Sequence, residues 1–600
     1  MTVRRPEGKT PDATSRETPR SSRPTPPRSS RPTARFFNPA ARLLRRRGAL
    51  PPAAGTTRFR RPTSRGDVGF AAGAMGLFVV AAVVGGLLWL AGRPVHASAA
   101  PLFAHWRPHV GPGTVPAVLI ALLVCRYGAE LSRRLPWRRL CLAAYGTAVA
   151  WITALALIDG WDRGVAGRLT TRFEYLHEVP GVTDIPAMLR GFSDRILDFQ
   201  PDSWTTHVAG HPPGTLLIFV ALDRIGLSGG GWAAVTCILA GALVAVAVPH
   251  TVRQLGTDEA ARAVVPFLVL FPGAVWIGVS ADGLFAGITA TGIALLAAGV
   301  RRRSPVRLAG AGLILGLGCY LSYGLILMTP IALAVLFLGR PLPRQSDQVA
   351  AGSDQIGAGS DQVAAGPDQI GAGPGQIDAR PGQIGAASDE ARAGHVPSAA
   401  RARAAWTGPA LAAAWATAGA AIVVAAFTVA GFDWLAGYHL VVERYYQGVA
   451  SHRPYTYWIW ANLAIVLAVA AGPAATVILR RAAATTRPRD LHRSAGPLPT
   501  PAGPLPTPAG PLLTSAGRLL TSAGPRLTSA GPLLTIAAAA AILAADLSGY
   551  SKAEVERIWL PFTVWLPAAA ALLPADRRRA WLVVQAAVAL LVNHLLLTTW

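Results

Sequence analysis

Runs of roughly 20 apolar residues recur along the chain between short arginine-rich turns, and this spacing constrains the fold more than any single motif. A helix of about 20 residues rises about 30 Å, the hydrocarbon thickness of a bilayer, and satisfies its own backbone groups there. With 52% of 600 residues hydrophobic, the apolar content exceeds what a soluble core uses. The sequence therefore predicts an all-α, polytopic membrane protein of about 13 transmembrane helices, with outer-face loops and disordered cytoplasmic segments. Candidate runs are 69–91, 114–131, 140–158, 215–227, 232–248, 263–279, 283–300, 308–322, 325–338, 406–430, 458–479, 534–547, 558–573 and 581–597.

Charge sets the expected sidedness. Residues 1–66 carry 14 of the 25 net positive charges, in a Pro-, Ser- and Thr-rich composition that cannot bury a core. Residues 1–67 thus read as a disordered basic cytoplasmic arm, too long and polar for a signal peptide, that lies against anionic lipid; no nucleic-acid partner is expected. Arg133, Arg134, Arg138 and Arg139 place the turn between the second and third runs inside, as Arg301–Arg303 and Arg577–Arg579 do for later turns. The loop 159–212 then lies outside, and localisation is a multi-pass cell-membrane protein with a cytoplasmic N-terminus. Counting every run as a crossing puts Arg301 on the wrong side. Run 263–279, interrupted by Phe271-Pro272-Gly273, is the expected non-crossing piece.

The resulting organisation is an arm 1–67, an N-terminal membrane module 68–340, a low-complexity cytoplasmic linker 341–405, helices 406–480 with an outer loop 432–457, a second linker 481–533 and C-terminal helices 534–600. The linkers contain seven-residue repeats at 346–394 and 494–535, whose Gly and Pro content opposes helix formation. Cys125, Cys141, Cys237 and Cys319 all fall in apolar runs and read as packing residues.

Three polar stretches share the expected outer face: 172–214, 432–457 and 549–559. The first holds Glu174, Glu178 and Asp184, with Asp159 and Asp162 as competing carboxylates at the mouth of the preceding run. A carboxylate against apolar walls suits general-base work, and solvated loop charge is the plainer alternative. Apolar residues at spacings of three and four over 185–199 predict one amphipathic helix in the interface plane. His207 and His211 precede Pro212-Pro213-Gly214, where a helix start can favour an anion or simply cap the helix. The second stretch brings Arg444 and Arg453 amid aromatic residues, suited to a phosphate or to an interfacial belt. In the third, Lys552 with Glu556 and Glu554 with Arg557 can pair along a helical turn; Lys552 is one of only two lysines beside 54 arginines.

Many spans, a large outer loop with acidic residues and an interfacial helix, and a His-Pro-Pro-Gly entrance to the next run together resemble the GT-C superfamily of integral membrane glycosyltransferases. The likeness is closest to protein O-mannosyltransferases and aminoarabinose transferases of actinobacterial type, over about 140–330 and more loosely 430–600. The resemblance implies transfer of a sugar from a polyprenyl-phosphate donor to a glycan, lipid or protein acceptor on the outer face. It maps the base to Glu178, Glu174 or Asp184, the basic-Pro-Pro element to His211, Pro212 and Pro213, and an acidic residue opening a later span to Asp282; Arg444, Arg453, Lys552, Arg557 or His211 would then stabilise the departing phosphate, and His207 at the same helix entrance is a further candidate donor to the ligand. The chain departs from the family in having two extra leading spans, no adjacent acidic pair in the loop, and His211 where aminoarabinose transferases carry Lys. No certain cofactor is implied, and a divalent cation stays open. The alternative is a secondary transporter of a small polar or anionic solute, for which Arg126 and Asp223 are candidate in-span charges.

Overall fold

A computed structural model describes residues 64–339, 408–486 and 529–598. The arm up to residue 63, the repeats at 346–394 and most of those at 494–535 lie outside the described residues. Within them the regular secondary structure is helical apart from two three-residue strands, Ala104–Trp106 and Leu596–Thr598, which pair antiparallel. Among the described residues seven helices are long and apolar enough to cross a membrane: Arg65–Leu90, Thr114–Arg134, Trp137–Asp159, Gly230–Leu255, Ala281–Arg302, Pro409–Val429 and Ala530–Leu547. A bent pair, Tyr455–Ala470 with Gly472–Thr485, makes eight. This corrects the expected 13, because several apolar runs fold as shorter or broken helices.

Run 215–227 is the clearest case. It forms the 11-residue helix Gly214–Arg224, both ends of which are tied to one face of the bundle. Thr215 Oγ1 donates to Leu321 O at 2.8 Å, and Arg224 donates to Val182 O and Thr183 O at 2.7 and 3.0 Å. Run 263–279 does break where expected, into Asp258–Val269 and Ala274–Ile277. It nonetheless travels from the basic turn, where Arg262 donates to Ser132 O and Leu135 O, to Gly278 against Ile152 and Ala156. Carbonyls freed by the break, Phe267 O and Leu270 O, accept from Gln585 Nε2 at 2.6 and 2.9 Å. The bent pair turns by 109° at Gly472, whose φ of +82° favours glycine. A Cβ there would meet Pro272 Cγ at 3.0 Å, so the two breaks face each other.

Domain edges also shift. Asp67, read as part of the arm, is buried in the helix that starts at Ser64 and is held by Arg480 and Arg481. The last repeat unit enters the helix Ala530–Leu547, where Pro532 falls in the first turn and interrupts no helical bond. Connectivity places 92–113, 157–213, 430–454, 548–559 and 596–598 at one end of the bundle, opposite the basic turns.

The expected helix over 185–199 stops early. Ile185–Arg190 is helical, Ser193–Arg195 forms a 3₁₀ turn, and the rest is loop. Side chains capture the carbonyls that a longer helix would need: Trp204 Nε1 donates to Phe192 O at 2.9 Å, Ser203 Oγ to Leu197 O at 2.7 Å and Arg444 to Ile196 O at 2.8 Å. Phe192 and Ile196 are fully buried in protein, so the middle of this segment packs into the bundle end, whereas Phe199 at its end is exposed.

Candidate functional site

The three polar stretches predicted from sequence converge on one buried ionic cluster. Glu174 precedes a short 3₁₀ turn, Tyr175–His177. The four-residue helix Thr206–Ala209 presents His207, whose backbone N–H bonds Phe173 O at 3.0 Å. Asp282 sits in the first turn of Ala281–Arg302, capped by Ser280, where helix amides favour an anion. Arg557 comes from the helix Val555–Ile558. Ala553 and Glu554 just before it have φ values of 73° and 63°, a left-handed conformation that costs about 1–3 kcal/mol per residue and turns the chain sharply into the cluster.

Arg557 is the hub. Its Nη1 donates to Asp282 Oδ2 at 3.0 Å, and its Nη2 donates to Glu554 Oε2 at 3.0 Å and lies 3.4 Å from His207 Nε2. His207 Nδ1 is 2.9 Å from Glu174 Oε1. Glu554 Oε1 also accepts from Nη1 and Nη2 of Arg453 at 3.2 Å, and Arg453 reaches Lys552 O and His96 O. Glu174, His207, Asp282, Arg453, Glu556 and Arg557 are all buried. So many charges out of water are tolerated only through mutual pairing.

Beside them Tyr175 OH and His207 O both lie within 2.9 Å of His211 Nδ1, at 2.9 and 2.8 Å. A protonated Nδ1 donates to the carbonyl, whereas a bare Nδ1 accepts from the tyrosine. Burial lowers the His211 imidazole from its usual range and raises the Tyr175 hydroxyl well above its own. Burial alone would raise the Glu174 carboxyl, but the neighbouring His207 and Arg557 reverse this and hold it lowered. For Glu554 the two guanidinium groups likewise overcome burial. Asp282 and Glu554 overcome the burial of Arg557 and raise its affinity for the proton.

The other sequence candidates stand elsewhere. Glu178 accepts from Thr205 N–H at 2.9 Å and lies 3.5 Å from Arg195, so it splints the loop. Asp184 is exposed and caps Ile185–Arg190 by accepting from Ala187 N–H at 3.0 Å. Arg444 holds Ile196 O and Trp204 O. Lys552 does not pair with Glu556: its Nζ donates to Ala450 O at 3.2 Å and lies 5.3 Å from the Tyr446 ring, while Glu556 accepts from Phe103 N–H at 3.4 Å. Asp159 joins a separate cluster with His109 and Arg168, which anchors the Thr598 carbonyl. Asp162 is exposed.

Sequence reading missed the role of segment 92–113. It roofs an apolar groove of about 840 Å³ lined by Met75, Phe78 and Trp89 on one side and Leu591 and Leu595 on the other. Its link to the cluster runs through His96 O and Phe103 N, backbone atoms that no composition signal marks. Among the described residues no group of three or more His, Cys, Asp or Glu could hold a metal ion. The cluster acids are instead engaged by guanidinium and imidazole groups, a donor set that does not fit a divalent cation.

No protein-family model, curated protein or solved structure matches the chain.

Proposed function

We propose that this chain is a membrane glycosyltransferase that moves a sugar from a polyprenyl-phosphate donor to an acceptor at the outer face of the cell membrane. The observation that carries the reading is an apolar groove whose lining residue His96 is hydrogen-bonded through its carbonyl to Arg453 of the buried ionic cluster. An isoprenoid chain suits the groove between helices Ser64–Leu90 and Arg578–Leu595, and its phosphate would lie toward His96, Arg453 and Lys552. Glu174, the one acidic candidate of the first loop in the cluster, is favoured as the base, with His207 orienting it. It takes the proton of an acceptor hydroxyl, which attacks the anomeric carbon as polyprenyl phosphate leaves. Arg557 and Arg453, both members of the cluster, would stabilise the departing charge. The cluster is closed in this conformation, so substrate entry requires the roof or the loop to move.

A photoreactive polyprenyl phosphate tests the reading directly. Crosslinks should map to Trp89 and Leu591 and be competed by unlabelled polyprenyl phosphate; labelling spread evenly over the lipid-facing helices would remove the groove from the account. Sidedness is tested by a cysteine at Pro201, an exposed loop position that impermeant reagents should reach from outside.

The transporter reading has one observation of its own, the facing breaks at Pro272 and Gly472. The carbonyls there are met by Gln585 and Thr476, both uncharged, whereas the charges gather at the bundle end. That distribution favours the transferase.

A further inference from the structure

Glu556 lies between the ionic cluster and the groove roof and is 3% exposed. Its Oε1 accepts from Phe103 N–H at 3.4 Å, and its Oε2 is buried with no hydrogen-bond partner among the described residues. Phe103 belongs to the strap 94–106 over the groove, and the Arg453 guanidinium stands 5.3 Å from its ring. The C-terminal end of the strap is pinned by strand pairing at Ala104–Trp106, and the chain beyond it by His109 on Asp159. The part over the groove rests on the cluster, through His96 O on Arg453 and Phe103 N on Glu556.

The geometry points to Glu556 as a positioning residue that keeps the strap seated on the groove while its carboxyl is protonated and releases it on ionisation. Opening the strap would wet Oε2, which the closed state leaves buried and unbonded. An ionised carboxylate therefore gains more from opening than a neutral acid does. The charged and titratable neighbours are Lys552, Glu554 and Arg557 on its own segment, Arg453 from 448–454, Asp282 and His207 reached through Arg557, and His96 and His105 on the strap itself. Ala274–Ile277, Leu560–Thr563 and Val466–Ala470 bring no titratable group. In Tyr455–Ile465 the two tyrosine hydroxyls bond carbonyls elsewhere. Burial, helped by Glu554, outweighs the amide bonds and Arg557 and pushes the Glu556 carboxyl up to about 7. Because the closed-state value is raised above that of the solvated open state, proton binding favours closure, and closure weakens as pH rises through about 7.

The test places a cysteine at Val95, buried in the strap, in a full-length chain whose four native cysteines are alanine. The rate of reaction with a polar maleimide is compared between Glu556 and Glu556→Gln at each pH, so thiol ionisation cancels. With an open-state carboxyl near 4.5, the Glu-to-Gln rate ratio should rise roughly tenfold from about pH 6 to about pH 8. A flat ratio overturns the proposal. If the Gln variant does not fold, hydrogen exchange of 96–103 in the unmodified chain, corrected for intrinsic rates, should show the same roughly tenfold excess. A flat corrected profile refutes it equally. Neither readout depends on sugar transfer.

Discussion

Arg557→Met removes the hub of the cluster while keeping much of its volume. The guanidinium serves Asp282 and Glu554 at 3.0 Å each and stands 3.4 Å from His207. After its loss Glu554 still has Arg453 and Glu174 still has His207, but Asp282 loses a buried ionic partner. Breaking such a pair costs about 3–5 kcal/mol, far more than the pair contributes over an apolar replacement. Asp282→Asn should cost less, because the amide oxygen can still accept from Arg557 and no charge is stranded. The double variant should therefore be less destabilised than the sum of the singles by about 1–3 kcal/mol. Midpoints of denaturing-detergent titrations on purified protein give all four corners of the cycle. Additivity within about 0.5 kcal/mol would show that Arg557 and Asp282 do not sense each other, and the cluster as described would be wrong.

Glu178→Gln should cost less than about 1 kcal/mol, since the amide still accepts from Thr205 N–H and only a partly exposed pair with Arg195 is lost; Glu178→Ala should cost about 1.5–3 kcal/mol, read by the same titration. Asp67→Asn leaves Arg480 and Arg481 without their shared carboxylate and should lower stability by about 3 kcal/mol, with the rescue variant Arg481→Met restoring part of it. Deleting 346–394 should leave insertion and transfer intact, because Gly-rich repeats with one Val or Ile per unit at most cannot bury a core; loss of both in a membrane-fraction assay would mean that a folded element was removed.

The helical class and the bundle end that carries the polar loops were legible because apolar run length and arginine placement report bilayer geometry directly. Placing the stretches 172–214, 432–457 and 549–559 on one face put Glu174, His207, Arg453 and Arg557 at one end of the bundle, but their meeting with Asp282 in one cluster depends on side-chain contacts that run length and charge do not report. Span count was not legible, since hydropathy cannot distinguish run 215–227, tied at both ends to one face by Thr215 and Arg224, from a crossing helix. Periodicity over 185–199 pointed to a helix, but its carbonyls are claimed by Trp204, Ser203 and Arg444, two of them later in the same loop and one from a distant segment. The pairing at 549–559 was half right: Glu554 meets Arg557, whereas two positive-φ residues turn Glu556 toward Phe103, a contact across 453 positions. Strand pairing between residues near 105 and 597 rests on backbone groups that leave no compositional trace.

Sugar transfer from a lipid-linked donor, with Glu174 as the proposed proton acceptor, can be followed directly. Purified protein in vesicles would be given a panel of polyprenyl-phosphate sugars and an acceptor extract, and release of polyprenyl phosphate followed with formation of the glycosylated product. Turnover is expected with at least one donor, and Glu174→Gln should lower it by about a hundredfold or more while retaining donor binding and stability. Vesicles that accumulate a solute but release no polyprenyl phosphate, or a Glu174→Gln variant that transfers at the wild-type rate, would contradict that expectation.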